Sequence, residues 1–473
     1  MAAAVCAPIL GIEGGQTGQD WKFALAYDKL HELNSDMNKI LAPRLPMVIL
    51  AALTDFYTYR LAGRVLGNGY REAALFLSLT NLFHAHALTR TLTTSAETCL
   101  TVMALYYWPL PLTEEASRWI TKRSRKDLNS DSSATVPDDN KASGISSAGS
   151  NRIDDQDEDN LALSLALSAV AFVLRPTNIV LWSFLGLELC VRSWRASHST
   201  SNIIRLVGKA VVIGTLVISA SVMTDFYITG KLYFPFLTFL TYNIVFGISN
   251  FYGSSAWHYH VTQSIPILLT TVIPFFVPPF LSAVGSSSKQ QHPPSGKSAT
   301  LRNMRLQLLT KALIFTLCIW SCIGHKEWRF LHPLLPILLL YPAQYLVDRY
   351  QPPEGGLWTS RTTCAQTFLR INRSPFLYLL LSPVLPYLYL SAFHGRAQVD
   401  VTSWLRKETV NQPDMDVLFV MPCHSTPWMS YIHLDTSVKE DNWHFLTCEP
   451  ILEYPRRTSR EDGGGQILCG RLV

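Results

Sequence analysis

Long apolar blocks, more than any motif, limit what this chain can fold into. They fall at about 41–62, 72–88, 99–112, 161–174, 178–191, 207–223, 265–284, 312–323, 331–347 and 376–393. A helix needs about 20 apolar residues to cross a bilayer. Several blocks are shorter than that, and some hold polar residues such as His84, His86 and Glu188. Such segments suit helices buried among other helices, or kinked beside a wet cavity, rather than isolated anchors. The expected fold is therefore an all-α polytopic membrane protein of about ten segments. Only 16% of the 473 residues are charged, against 48% hydrophobic. That balance excludes a disordered chain, a coiled coil and a nucleic-acid binder built on basic patches.

The few charges are unevenly placed, and their placement gives sidedness. Residues 121–160 hold nine acids, six bases and no aromatic residue. They have the composition of a disordered linker, and residues 120–160 are expected to be a disordered cytoplasmic loop. The connections at 192–209, 285–311 and 349–373 are rich in Lys and Arg and are assigned to the cytoplasm. The connections at 225–264 and 324–330, and the tail after 393, then lie on the opposite side. This divides the chain into an atypical N-terminal segment 1–40, a membrane part 41–119, the loop 120–160, a second membrane part 161–393 with its luminal connection 225–264, and a luminal C-terminal region 394–473. Met1–Leu10 is apolar but lacks a basic flank and does not read as a signal peptide.

Charges at membrane depth are costly unless paired or hydrated, so the exceptions carry information. His325-Lys326-Glu327-Trp328-Arg329-Phe330, followed by His332, places five ionisable groups between two apolar blocks. A solvated turn needs none of these large side chains. His325, Lys326 and Arg329 together suit a phosphate, with Glu327 orienting one of them. Two further polar breaks, Arg90–Glu97 and Leu174–Asn178, share the side of that turn by the alternation of charge. Each alone reads as a helix cap, but together they suggest one water-accessible pocket supported by Arg90, Glu97 and Arg175. The connection at 225–263 is rich in aromatics and Gly. It reads either as an interfacial segment or as a groove for a sugar or lipid-linked substrate that uses Asn243, Tyr252, Trp257 and His258. Asp55, inside the first block, reads best as a buried hydrogen-bonded acid. Among nine Cys no zinc-type spacing occurs, so no metal site is assigned and any metal requirement is left open. Cys423 and Cys448 lie in the polar tail and are candidates for a disulfide if it faces an oxidising lumen.

The His325–Phe330 hexapeptide resembles the HKExRF signature of the dolichol-phosphate-mannose-dependent mannosyltransferases of the endoplasmic reticulum, in the type C glycosyltransferase superfamily. The Arg90–Glu97 run, the Arg175-Pro176-Thr177 break and the 242–259 stretch are similar to further motifs of that group. The tail segments Phe419–Trp428 and Leu446–Pro450 resemble the branch that adds the third mannose to glycosylphosphatidylinositol (GPI) precursors.

The resemblance implies a helical bundle with luminal connections, a luminal active site and a small luminal C-terminal region. It implies dolichyl phosphate mannose as donor, a GPI-precursor glycolipid with two mannoses as acceptor, and an inverting α-1,2 transfer at the bilayer, with no nucleic acid involved. Members of the group begin with a membrane helix and a luminal acidic loop that supplies the base. Met1–Lys39 shows neither, and Asp20, Asp28, Glu32 and Asp36 lack the motif context. The expectation is a truncated or catalytically impaired chain, weak or inactive as an enzyme. The alternatives are a mannosyltransferase of N-glycan precursor assembly and a non-catalytic membrane scaffold or transporter.

Overall fold

The computed structural model describes residues 42, 44–112, 148–232, 234–285, 297–350 and 373–412, with shorter stretches at 415–421, 425, 443–446 and 469–471. It is almost entirely helical. The first part holds α1 (Arg44–Val65), α2 (Arg71–Thr80), α3 (Leu82–Ala87) and α4 (Thr93–Tyr107). Next come α5 (Ala148–Leu174), α6 (Ile179–Ser197), α7 (Thr200–Thr229) and α8 (Pro235–Leu240). They are followed by α9 (Ile265–Leu269), α10 (Ile273–Gly285), α11 (Lys297–Cys322), a 3-10 helix Trp328–Leu334, α12 (Leu335–Leu338) and α13 (Leu340–Tyr350). The last helices are α14 (Arg373–Leu381), α15 (Val384–Ala392) and α16 (Arg396–Asn411). Among the described residues, five helical segments are long and apolar enough to cross a membrane: Thr200–Thr229, His260–Gly285, Ser298–Cys322, Trp328–Arg349 and Pro375–Thr409.

In hydrocarbon every backbone and hydroxyl group must be satisfied inside the protein. Thr54 and Thr58 on α1, and Thr310 and Thr316 on α11, each donate to the carbonyl four residues back. That local bond lets a hydroxyl sit in an apolar helix. Asp55 is dealt with as the sequence suggests: Ser78 Oγ donates to its carboxylate at 2.6 Å.

Two compact units make up the chain. The larger is the membrane bundle, built on Met47–Arg396. Its core runs through Leu61, Leu77, Leu105, Leu181, Leu268, Leu309 and Tyr341, all fully buried. Of these five spans Trp328–Arg349 is the most enclosed, whereas Thr200–Thr229 turns nearly its whole surface outward, as a lipid-facing helix does. The smaller unit, which includes Ala397–Cys448, carries a three-stranded sheet. Val417–Phe419 pairs in parallel with Trp443–Leu446, Phe419 opposite Phe445, and Cys469–Arg471 runs antiparallel on the other side. Phe419, Leu405 and Trp443 form its apolar centre.

Two boundaries differ from the sequence reading. Helix α5 starts at Ala148, inside the stretch read as a linker. Farther along α5, Glu158 pairs with Lys209 of α7, a link between helices that composition does not show. The connection at 225–264 is also not a simple loop. Helix α7 runs on to Thr229, where Gly230 in the left-handed conformation (φ 69°) caps it, and short helical turns follow at Pro235–Val245 and Ile248–Tyr252.

Among the described residues, basic side chains bordering these connections gather at one end of the bundle. Arg192 donates to the Pro109 carbonyl at 2.5 Å, and Arg305 to the carbonyls of Arg64 and Pro111 at 2.5 and 2.9 Å. Basic side chains here satisfy carbonyls left open where helices end. The hexapeptide begins the span Trp328–Arg349 and Arg349 closes it, so His325–Arg329 lies at the opposite end.

Candidate functional site

Three breaks in the apolar pattern meet at the end of the bundle away from the basic connections. Pro176 makes the first of them. A residue before proline is pushed out of the helical region. Arg175 is accordingly extended (φ −148°, ψ 105°), and α5 stops at Leu174. This aims the Arg175 guanidinium at α4, where its Nε lies 3.2 Å from Glu97 Oε2. Glu97 is almost fully buried. Its other oxygen accepts from Asn178 Nδ2 at 2.7 Å, and Asn178 in turn reaches Thr101 Oγ1 at 3.0 Å and accepts from Trp182 Nε1 at 2.5 Å. The carboxylate is thus matched in charge by Arg175 and hydrogen-bonded through Oε1, whereas Oε2 is buried with no hydrogen bond among the described residues. Burial depresses the Arg175 guanidinium, Glu97 raises it, and the net direction is down. Guanidinium stays charged at this depth all the same.

The hexapeptide supplies the second group. Arg175 also lies over the Phe330 ring, 5.0 Å from its centroid, which ties the two breaks together through a cation–π contact. Glu327 sits between the His325 ring and the Arg329 guanidinium. Its Oε1 faces His325 Nε2 at 3.2 Å, and Arg329 grips both of its oxygens through Nε and Nη2. Burial pushes the Glu327 carboxyl up, but the bonds from Arg329 and His325 outweigh it and hold it below the ordinary carboxylate range. A carboxyl with a depressed pKa contributes stability above its unfolded pKa and loses it as pH falls through the folded value. The difference in thermal stability between the parent chain and Glu327→Gln should therefore be constant near neutral pH and shrink below the ordinary carboxylate range; a gap that persists under acid would contradict the ion-pair account.

The third group is the connection after Gly247, whose backbone docks onto the hexapeptide. Lys326, only 6% exposed, donates to the Ser255 carbonyl at 2.8 Å. His325 Nδ1 lies 2.9 Å from the Gly253 carbonyl, and Ser255 N donates to the Gly324 carbonyl at 3.0 Å. Both partners of the His325 ring are acceptors, so both bonds form only when each ring nitrogen carries a proton. A side chain at Gly324 would collide with Asn250 Oδ1. Gly324→Ala is expected to cost about 1–3 kcal/mol by overpacking. Adding Asn250→Ala should restore most of it, as read by thermal unfolding of the two variants.

Beside these groups lies a cavity of about 410 Å³, lined by Pro176, Thr177, Asn243, Asn250, Trp320 and Gly324 among others. It is mostly apolar, with the Asn243 and Asn250 amides and the Thr177 and Ser249 hydroxyls in its lining, and its size falls in the range of small-ligand sites.

The sequence-derived site is thus partly assembled. Glu97, Arg175, His325, Lys326, Glu327 and Arg329 come together. Their cations do not converge on a bare cradle: His325 and Arg329 share Glu327, whereas Lys326 turns to Ser255. Arg329 remains 41% exposed and is the cation of this group most open to solvent. Asn243 lines the cavity, and the Tyr252 ring lies 6.3 Å from His325. Trp257 is 75% exposed beside His258, and neither lines the cavity. Arg90 is exposed at the turn before α4. Cys423 and Cys448 lie outside the described residues. Among the described residues, no group of three His, Cys, Asp or Glu is placed to hold a metal ion.

Sequence reasoning did not assign roles to Asn178, Phe330 or the carbonyls of Gly253 and Ser255. Nor did it pair His84 with His332, whose rings lie 5.5 Å apart under the hexapeptide. Only Gly324, directly before the hexapeptide, gave a local signal that backbone must approach closely there.

GPI mannosyltransferase 3 of Gibberella zeae is 31% identical over 448 residues, which cover 89% of this chain and 66% of that protein. GPI alpha-1,2-mannosyltransferase 3 of Homo sapiens is 27% identical over 436 residues, covering 91% and 62%. The chain spans less than two thirds of the length of these two curated relatives. A crystal structure of ArnT from Cupriavidus metallidurans bound to undecaprenyl phosphate superposes with a TM-score of 0.45 at 12% identity, covering 82% of this chain and 70% of that one. The model of the Alg9-like mannosyltransferase family matches residues 22–433, and the chain belongs to that family.

Proposed function

We propose that the chain transfers mannose from dolichyl phosphate mannose to a GPI precursor that already carries two mannoses, forming an α-1,2 bond. One observation carries this reading. Glu97, Arg175 and the His325–Arg329 cluster, drawn from three breaks far apart in sequence, meet at one end of a membrane bundle beside an apolar cavity. A lipid-linked donor presents its phosphate at that depth and its chain to an apolar wall. The relatives' names supply the sugar and the GPI acceptor. The site would face the lumen of the endoplasmic reticulum, opposite the basic connections.

In an inverting transfer a base takes the proton of the acceptor hydroxyl as its oxygen attacks the anomeric carbon. The bond from that carbon to the donor's phosphate oxygen breaks, and dolichyl phosphate leaves as an anion. Arg329, with His325 and Lys326 close by, supplies positive charge where that anion forms. Glu327 would hold His325 and Arg329 in place until the phosphate arrives. No described residue is assigned as the base.

The test is transfer of labelled mannose from dolichyl phosphate mannose in microsomes of cells that lack this step. The reading expects label in a GPI intermediate with three mannoses and a return of anchored surface proteins. Label in the N-glycan precursor instead would favour the other branch, and no transfer at all would favour a non-catalytic scaffold.

A further inference from the structure

At the basic end of the bundle, opposite the site just described, a second cavity of about 410 Å³ opens between α10, α11 and α13. Its polar lining includes Ser282, Arg302, Gln307, Gln344, Asp348 and Arg349. We propose that it binds the phosphodiester headgroup of an anionic phospholipid.

Depth is the first reason. Ser282 lies near the end of the span His260–Gly285, Arg302 near the start of Ser298–Cys322, and Arg349 at the end of Trp328–Arg349. Three spans therefore end together around the cavity, which puts it at the level of lipid headgroups. Leu281 and Val284, 62% and 41% exposed on the same helix end as Ser282, offer an apolar surface to acyl chains.

Charge is the second. The cavity has two guanidinium groups and one carboxylate. That carboxylate is already engaged: Asp348 Oδ1 accepts from Tyr70 Oη at 2.6 Å and pairs with Arg302 at 3.5 Å. Arg302 also bonds to the Tyr70 hydroxyl. These contacts fix the Arg302 side chain, yet its Nε is buried with no hydrogen-bond partner among the described residues. A buried donor without an acceptor is costly and points to an absent one. Exposed Arg349 brings a second cation to the same cavity. A phosphate would accept from Arg302 and Arg349, while Gln307 and Gln344 could bond headgroup oxygens. Basic pockets between membrane helices on the cytoplasmic side are suited to such headgroups.

The test uses the full chain in nanodiscs of phosphatidylcholine, alone or mixed with phosphatidylinositol, with lipid retention read by native mass spectrometry. Anionic lipid should be retained over phosphatidylcholine, and Arg349→Gln should lower that preference roughly fivefold. Arg349 is exposed, so this variant should fold; Arg302→Gln, which also loosens Tyr70 and Asp348, should lower it at least as much. Equal retention of the two lipids, or retention unchanged in Arg349→Gln, overturns the proposal. An inorganic phosphate arm separates the sources: stabilisation by phosphate alone, without lipid preference, assigns the cavity to a free anion and also overturns it. Mannose transfer is measured in parallel, and its loss or retention leaves the lipid result readable.

Discussion

Mannose transfer by Glu327→Gln is expected to fall roughly a hundredfold or more, the scale of removing one preorganised electrostatic element from an active site. Glu327 fixes two side chains at once, His325 at 3.2 Å and Arg329 through a two-oxygen grip. The amide keeps the shape but loses the charge, and it can accept through only one of its two end atoms. One of the two side chains is then released from its position. The effect should lie mainly in kcat, because the charge they meet grows as the leaving phosphate separates. Initial rates with labelled donor, together with a melting curve at neutral pH, distinguish this from unfolding. A rate within threefold of the parent would show that Glu327 does not organise the site.

Glu97→Ala is expected to be among the most destabilising single changes in the bundle, about 3–5 kcal/mol, because it leaves the other half of a buried ion pair uncompensated. Arg175 loses its counter-charge, and Asn178 Nδ2 loses an acceptor at 2.7 Å. Glu97→Gln should cost less, since the amide oxygen can still accept from Asn178. A double change, Glu97→Ala with Arg175→Met, should be more stable than Glu97→Ala alone, because no unpaired charge is left buried. Thermal unfolding in one detergent gives the order of the three. If the double change is the least stable, the pair is held by something other than charge compensation.

The helices and their end-to-end order were legible because hydrophobicity and charge act along the chain. A run of apolar residues must be enclosed or meet lipid, and the Lys and Arg at 192–209, 285–311 and 349–373 mark the ends that remain in water. The hexapeptide stood out for the same reason, as charge where charge is expensive. Arg175 was legible through the proline that follows it. By contrast, the pairing of Glu158 on α5 with Lys209 on α7 rests on how those helices pack, and the docking of the aromatic connection rests on backbone carbonyls, which have no sequence signature. The separation of Trp257 and His258 from the cavity had none either, since aromatics suit an interface and a groove equally well.

By itself, the sequence determined that this is a multi-pass helical protein with a basic end and one anomalous charged turn, because those properties follow from transfer free energies of local segments. Only the tertiary structure decided how the charges are matched. Glu97 and Asn178 are 81 positions apart, and Lys326 and Ser255 are 71 apart. Pairing over such distances depends on how helices pack, and no local preference encodes it. The same holds at the other end, where Tyr70, Arg302 and Asp348 meet from three different helical segments.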